Sequence, residues 1–206
     1  MVIIDEAHNL MDTISNIHSN TVTLPQLQKS QCSIEIYLRK FRNRLKGSNK
    51  VYVLQLSKVL SGLASFLESK KGEGLVEMGD LLAINGIDQV NIYKLQKYIT
   101  ESKLARKVEG YLDLEEIRKQ KGQRGLNEGL KSTPTLTHIQ GFLTALTNPS
   151  SEGRLFHGLT EHKEAYLKYM LLDPAYNFKS VIEEARAVIL AGGTMEPVSR
   201  LIHTHI

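Results

Sequence analysis

The chain holds a single cysteine, Cys32, among 206 residues. No disulfide can close within it, and no iron–sulfur cluster held by four cysteines can form. This usage fits an intracellular protein, and Cys32 is expected to be a buried, inert helix residue. No run of 18 apolar residues occurs, so no membrane span is predicted. The N-terminus lacks a basic segment followed by a long apolar one, which excludes a secretory signal in this sequence. Met1 opens directly onto an apolar strand, which suggests an internal start or a truncated gene model. No Gly-Lys pair occurs, so the phosphate-cradling pattern Gly-x-x-x-x-Gly-Lys-Ser/Thr is absent. Gly72-Glu-Gly74 fails the dinucleotide pattern, because the next glycine is Gly79. Neither sign of charge dominates: 26 basic against 22 acidic residues give +4, which by itself implies nothing about nucleic acid. The apolar and charged fractions are ordinary, so a soluble folded protein with one sizeable core or two modest ones is expected.

What is present begins at the first residue. Val2, Ile3 and Ile4 read as the end of a buried strand, since parallel strands covered on both faces are continuous apolar runs. Asp5 and Glu6 follow where strand gives way to loop, and open α/β sheets bind ligands just beyond such strand ends. One carboxylate there can hold Mg²⁺, which takes one or two carboxylates plus waters and substrate phosphates. The other can orient or deprotonate an attacking water. Asp5 is assigned to Mg²⁺, Glu6 to water activation and His8 to sensing the nucleotide state. The plainer alternative is a helix N-terminus, where acidic residues favour the positive end of the dipole.

Between the two ends the pattern is helical. Apolar spacing predicts helices over 26–46, 50–69, 87–99, 103–121 and 135–147. Residues 21–25, Gly47-Ser-Asn, 70–74 and 148–153 read as breaks, and glycine-rich 122–132 as a mobile loop. Arg39, Lys40, Arg42, Arg44, Lys46 and Lys50 fall together with no acid among them. Such a stripe could follow a phosphate backbone, and a solvated helix face is the alternative. Tyr37, Phe41 and Tyr52 lie near it and are compatible with base stacking, but core packing explains them as well. The last fifty residues change character. Strands are expected at 165–172 and 187–191, the second ending at Gly192-Gly193-Thr194, with a helix over 178–184 between them.

Val-Ile-Ile-Asp-Glu-Ala-His-Asn-Leu, residues 2–10, resembles motif II of the superfamily 2 DEAH helicases. Arg186-Ala-Val-Ile-Leu-Ala-Gly-Gly-Thr-Met-Glu-Pro-Val-Ser199, preceded by Asp173-Pro174-Ala175, Phe178 and Val181, resembles motif III of the XPD-like iron–sulfur DNA helicases. Leu167-Lys-Tyr-Met-Leu-Leu-Asp-Pro174 and Ala191-Gly-Gly-Thr-Met195 are most similar to the branch of that family concerned with sister-chromatid cohesion. The resemblance runs from the first residue to about Ser199. Arg200-Leu-Ile-His-Thr-His-Ile206 does not look like the family's continuation, and is expected to be a disordered read-through tail.

The resemblance implies an α/β fold: a partial RecA-like helicase core with a large, mostly α-helical Arch-type insertion. Residues 1–20 would carry the motif II part, 21–153 the insertion and 154–206 the motif III part. It implies ATP and Mg²⁺ as cofactors of the intact protein, DNA as partner, protein partners through the insertion, and a nuclear location. His8, Gly193 and Thr194 would couple hydrolysis to DNA movement, although many family members carry serine where Gly192 stands. In that family the P-loop and a 4Fe–4S domain precede motif II, and motif VI follows in a second RecA-like domain. The fragment is then expected to be inactive alone, and its motif III strand to carry an open, aggregation-prone edge. A non-catalytic DNA- or protein-binding module is the competing reading.

Overall fold

The structure is a computed structural model that describes residues 1–121, 134–147, 153–172 and 175–192. These residues are mostly helical, with two small sheets. Two compact units result. One is built from Met1–Asn20, Ser150–Arg154 and Met170–Ile206, the other from Thr21–Pro149 and Leu155–Tyr169.

In the first unit, β1 (Val2–Ile4) pairs in parallel with β6 (Val188–Leu190), in the register Val2↔Val188, Ile3↔Ile189 and Ile4↔Leu190. Both strands are continuous apolar triplets, but the expectation of a strand buried on both faces needs correction: Ile3 and Ile189 are exposed, because the pair forms a two-stranded sheet with one face uncovered among the described residues. Helices α1 (Leu10–His18) and α8 (Ala175–Glu184) pack against each other. The Ser15 hydroxyl donates to the Leu171 carbonyl at 2.8 Å.

The second unit carries the main core. Its first helix, α2 (Leu24–Phe41), starts where the sequence specifies. Thr23 Oγ1 accepts from Gln26 N–H at 3.5 Å, and Gln26 Oε1 accepts from Thr23 N–H at 3.0 Å. This reciprocal capping box satisfies two donors that a helix end otherwise leaves free, and Pro25 sits in the first turn where no N–H is needed. Helix α3 (Gly47–Ser69) packs on α2, and its stripe Leu56, Val59, Leu60, Leu63, Phe66 and Leu67 is almost entirely buried. At roughly 1.5–3 kcal/mol for each large apolar side chain removed from water, this stripe dominates the unit's stability.

Helix α4 (Met78–Ala83) and a 3-10 turn, Ile84–Gln89, follow. Then α5 (Ile92–Ser102), α6 (Leu104–Lys121) and α7 (Thr135–Leu146) close around α2 and α3. A four-stranded sheet runs in the order β2 (Asn20–Thr23), β5 (Ala165–Leu171), β4 (Gly153–Leu159), β3 (Gly74–Val76). Its inward residues Val22, Val76, Leu155, Leu167 and Tyr169 join the helical core.

Several expectations need correction. The helix expected over 26–46 ends at Phe41, and Gly47-Ser-Asn starts the next helix rather than ending the previous one. The breaks at 21–25 and 70–74 each contain part of a short strand, and Gly153–Leu159 is a strand that the pattern did not show. Cys32 is exposed, not buried. The inward face of α2 passes through Leu27, Ser30, Ile34 and Tyr37, and Cys32 lies off that stripe. The loop expected over 122–132, most of the turn at 148–153 and the C-terminal tail lie outside the described residues.

Candidate functional site

The acidic motif is held by the backbone pairing of β1 and β6. Val2 N–H donates to the Ala187 carbonyl at 2.9 Å, and Ala191 N–H to the Ile4 carbonyl at 2.9 Å. Ala7 N–H then donates to the Ala191 carbonyl at 2.8 Å. One residue, Ala191, therefore grips the chain on both sides of Asp5-Glu6, and the two carboxylates stand on a bend pinned to the end of the neighbouring strand. Ala7 is buried.

The bend is strained at Glu6, whose backbone is left-handed at φ 53° and ψ 39°. That conformation costs a non-glycine residue on the order of 1 kcal/mol and persists only where surroundings hold it. Here the holding groups are the Ala191 clamp and a hydrogen bond from Glu6 N–H to Asp5 Oδ1 at 2.9 Å. After Glu6 the chain turns into a 3-10 segment, Ala7–Asn9.

Both carboxylates are exposed. Glu6 Oε2 lies 3.1 Å from His8 Nδ1, and His8 Nε2 lies 2.9 Å from Asn9 Nδ2. Asp5 has one oxygen on the Glu6 amide, which leaves the other for a cation. No group of three or more His, Cys, Asp or Glu side chains gathers as a metal site among the described residues. A magnesium ion that takes one carboxylate and fills its shell with water and phosphate oxygens needs no such group, so the donor set fits Mg²⁺. A four-cysteine cluster does not fit these residues, which include one cysteine.

Of the two residues assigned to nucleotide coupling beside His8, Gly193 and Thr194 lie outside the described residues. They follow Gly192 directly after the Ala191 clamp. Asn9 was not singled out in the sequence. Its adjacency to His8 was visible there, but the hydrogen bond between them depends on the 3-10 turn.

The basic run lies in the other unit. Arg39 and Lys40 occupy the last turn of α2, while Arg42, Arg44 and Lys46 sit in the connection to α3, not on one helical face. All five are exposed and none is paired with a carboxylate among the described residues. The neighbouring aromatics are committed to packing. Tyr37 is buried and Phe41 half-buried, and both contact Tyr111, at ring-centroid separations of 6.4 and 5.0 Å. Tyr52 stacks on Tyr98 at 4.4 Å. Core packing thus accounts for Tyr37 and Phe41. A shallow cleft of about 320 Å³, lined by Ser48, Val51, Tyr52, Gln55, Gln89, Asn91 and Lys94, contains none of the assigned residues. No helix among the described residues is long and apolar enough to cross a membrane.

Comparison with known proteins makes the chain a homologue of ATP-dependent DNA helicases, and the resemblance to the XPD-like, sister-chromatid-cohesion group holds. The relatives include the ATP-dependent DNA helicase chl1 of Aspergillus clavatus, 52% identical over 204 residues. That of Coccidioides immitis is 48% identical and that of Vanderwaltozyma polyspora 41% identical, and all three alignments cover 97% of this chain. The chain spans about a quarter of the length of these relatives, between 23% and 27%. No family model matches it.

Proposed function

We propose that the chain is the segment of an ATP-dependent DNA helicase that carries motifs II and III. Residues 1–20 and 154–206 supply parts of a RecA-like core, and 21–153 form an Arch-type helical insertion. One observation carries the reading. The parallel pairing of β1 and β6, 184 or more residues apart in sequence, brings the Asp5-Glu6 bend against the strand that leads into Gly192-Gly193-Thr194. The grouping of Met1–Asn20 with Met170–Ile206 supports the division, although Leu155–Tyr169 packs with the helices.

When bound, Mg²⁺ and ATP would supply the phosphoryl group and neutralise its charge. The residues of this chain do the rest of what can be read. The free Asp5 oxygen would hold the cation. Glu6 orients the attacking water and accepts its proton. His8, with Gly193 and Thr194, passes the state of the site to the DNA-moving machinery. DNA is the substrate and the nucleus the expected location. Any 4Fe–4S cluster lies outside these residues.

An arginine finger alone supplies a factor on the order of 10³–10⁵ in such chemistry, and this sequence contains neither the motif VI that carries it nor a P-loop. The isolated chain should therefore show no ATPase, and DNA-stimulated turnover lost in Glu6→Gln would contradict that. The decisive experiment grafts the chain into a chl1 helicase in place of its homologous segment. The chimera should hydrolyse ATP with DNA, and Glu6→Gln should cut kcat by at least about 10²-fold, as loss of a general base does. Full turnover in the Glu6→Gln chimera would overturn the assignment.

A second reading rests on the exposed, unpaired cations. The helical unit would then bind nucleic acid without catalysis, with Arg39, Lys40, Arg42, Arg44 and Lys46 on the phosphates. Affinity of the chain for a single-stranded oligonucleotide should fall as salt rises, and the Arg42→Glu, Arg44→Glu double variant should weaken it by at least about tenfold. Salt-independent or absent binding removes this reading.

A further inference from the structure

Two hydrogen bonds downstream of the acidic pair join into one chain of groups. Asn9 Nδ2 lies 2.9 Å from His8 Nε2, and His8 Nδ1 lies 3.1 Å from Glu6 Oε2. An amide nitrogen can only donate. With Asn9 so placed, Nε2 of the neutral ring must accept, its proton must sit on Nδ1, and Nδ1–H donates to the Glu6 carboxylate. The two ring nitrogens are distinct in this way: the bond made by one fixes the role of the other. We infer that Asn9 is a positioning residue, which holds His8 in the Nδ1–H tautomer so that His8 ties down one oxygen of Glu6 and leaves the other directed to solvent.

The local backbone makes this device necessary. Glu6 sits on a left-handed bend with its carboxylate exposed. No other described side chain restrains that carboxylate, so an unrestrained Glu6 would sample several rotamers. A water-orienting carboxylate has to be held, because even small misplacement costs rate. Asp5 is restrained in parallel by the Glu6 amide. Each acid thus has one oxygen engaged by protein and one free. The inference rests on the proposed role of Glu6 for its functional meaning, while the tautomer itself is a property of these three side chains alone.

The test is therefore made on the 206-residue chain without nucleotide. Long-range proton–nitrogen NMR at alkaline pH reads which nitrogen of His8 is protonated. The His8 signals are assigned by their loss in His8→Gln, and circular dichroism verifies that each variant keeps its helices. The parent should show the Nδ1–H form in the majority, against the ordinary preference of imidazole side chains for Nε2–H. Asn9→Ala should raise the Nε2–H share, with Glu6 alone still favouring Nδ1–H. Asn9→Asp, whose carboxylate only accepts and competes with Glu6 for the ring proton, should raise the Nε2–H share further. An Nε2–H majority in the parent, or an unchanged tautomer ratio in folded Asn9→Ala, would overturn the inference. A tautomer that shifts as stated while the Glu6→Gln chimera keeps full turnover would instead leave the positioning intact and remove the helicase role of the glutamate.

Discussion

Thr23 shows how much one hydroxyl can specify. It closes β2, caps α2 and exchanges hydrogen bonds with Gln26, so strand end and helix start are set by the same side chain. Thr23→Ala removes the acceptor for an orphan helix N–H and should cost about 1 kcal/mol, read as a lower urea midpoint with an unchanged slope. Glu6 illustrates the opposite economy. A left-handed glutamate is tolerated because backbone bonds from a distant strand hold the bend, and such strain concentrates where a side chain must be aimed.

At the scale of elements, Gly158 leaves room for the Tyr166 side chain in the sheet of the helical unit. A Cβ on Gly158 would lie 2.7 Å from Tyr166 Oη and 2.8 Å from its Cζ, a separation that real side chains do not reach. β4 and β5 are neighbours in that sheet, joined by a turn in which Thr160 N–H donates to the Glu164 carbonyl at 2.9 Å. Gly158→Ala should destabilise the chain by on the order of 1–3 kcal/mol through overpacking. Adding Tyr166→Ala should recover most of that loss, and the double-mutant cycle in thermal denaturation measures the coupling. Strictly additive effects would mean that the two side chains do not meet.

The molecule as a whole should be sensitive to alkali. Burial raises the phenol pKa of Tyr37, Tyr98 and Tyr169 above the ordinary 10.0. The folded state then keeps these protons to higher pH than the unfolded chain does. Their contribution is complete below about 10 and falls as pH rises through the higher folded-state values. The melting temperature should be flat to about pH 10 and decline beyond it. Tyr169 offers a control, since its buried hydroxyl has no partner among the described residues. Tyr169→Phe should raise stability by roughly 1 kcal/mol, because a buried polar atom without a hydrogen bond is expensive, and should soften the alkaline decline.

Much of this architecture was legible in the sequence. The apolar stripe of α3, the triplets of β1 and β6, the strand from Ala165 and the helices at 104–121 and 135–146 all carry local periodicity, which packing then uses. Gly47-Ser-Asn misled because the residues that stop one helix equally well start another. β2, β3 and β4 were missed because short strands owe their existence to partners: Val76 is a strand residue because Leu155 lies opposite it.

Local chemistry in the sequence determined the capped helix starts, the amphipathic stripes, and the presence of two adjacent carboxylates at a strand end. Only the tertiary structure decided that Ala191 clamps both sides of those carboxylates, and that the basic run leaves the last turn of α2 and continues through the connection to α3 instead of following one helical face. The reason is physical. Periodicity and capping act within a few residues, whereas strand pairing and a side chain's hydrogen-bond partner depend on which distant backbone arrives beside it.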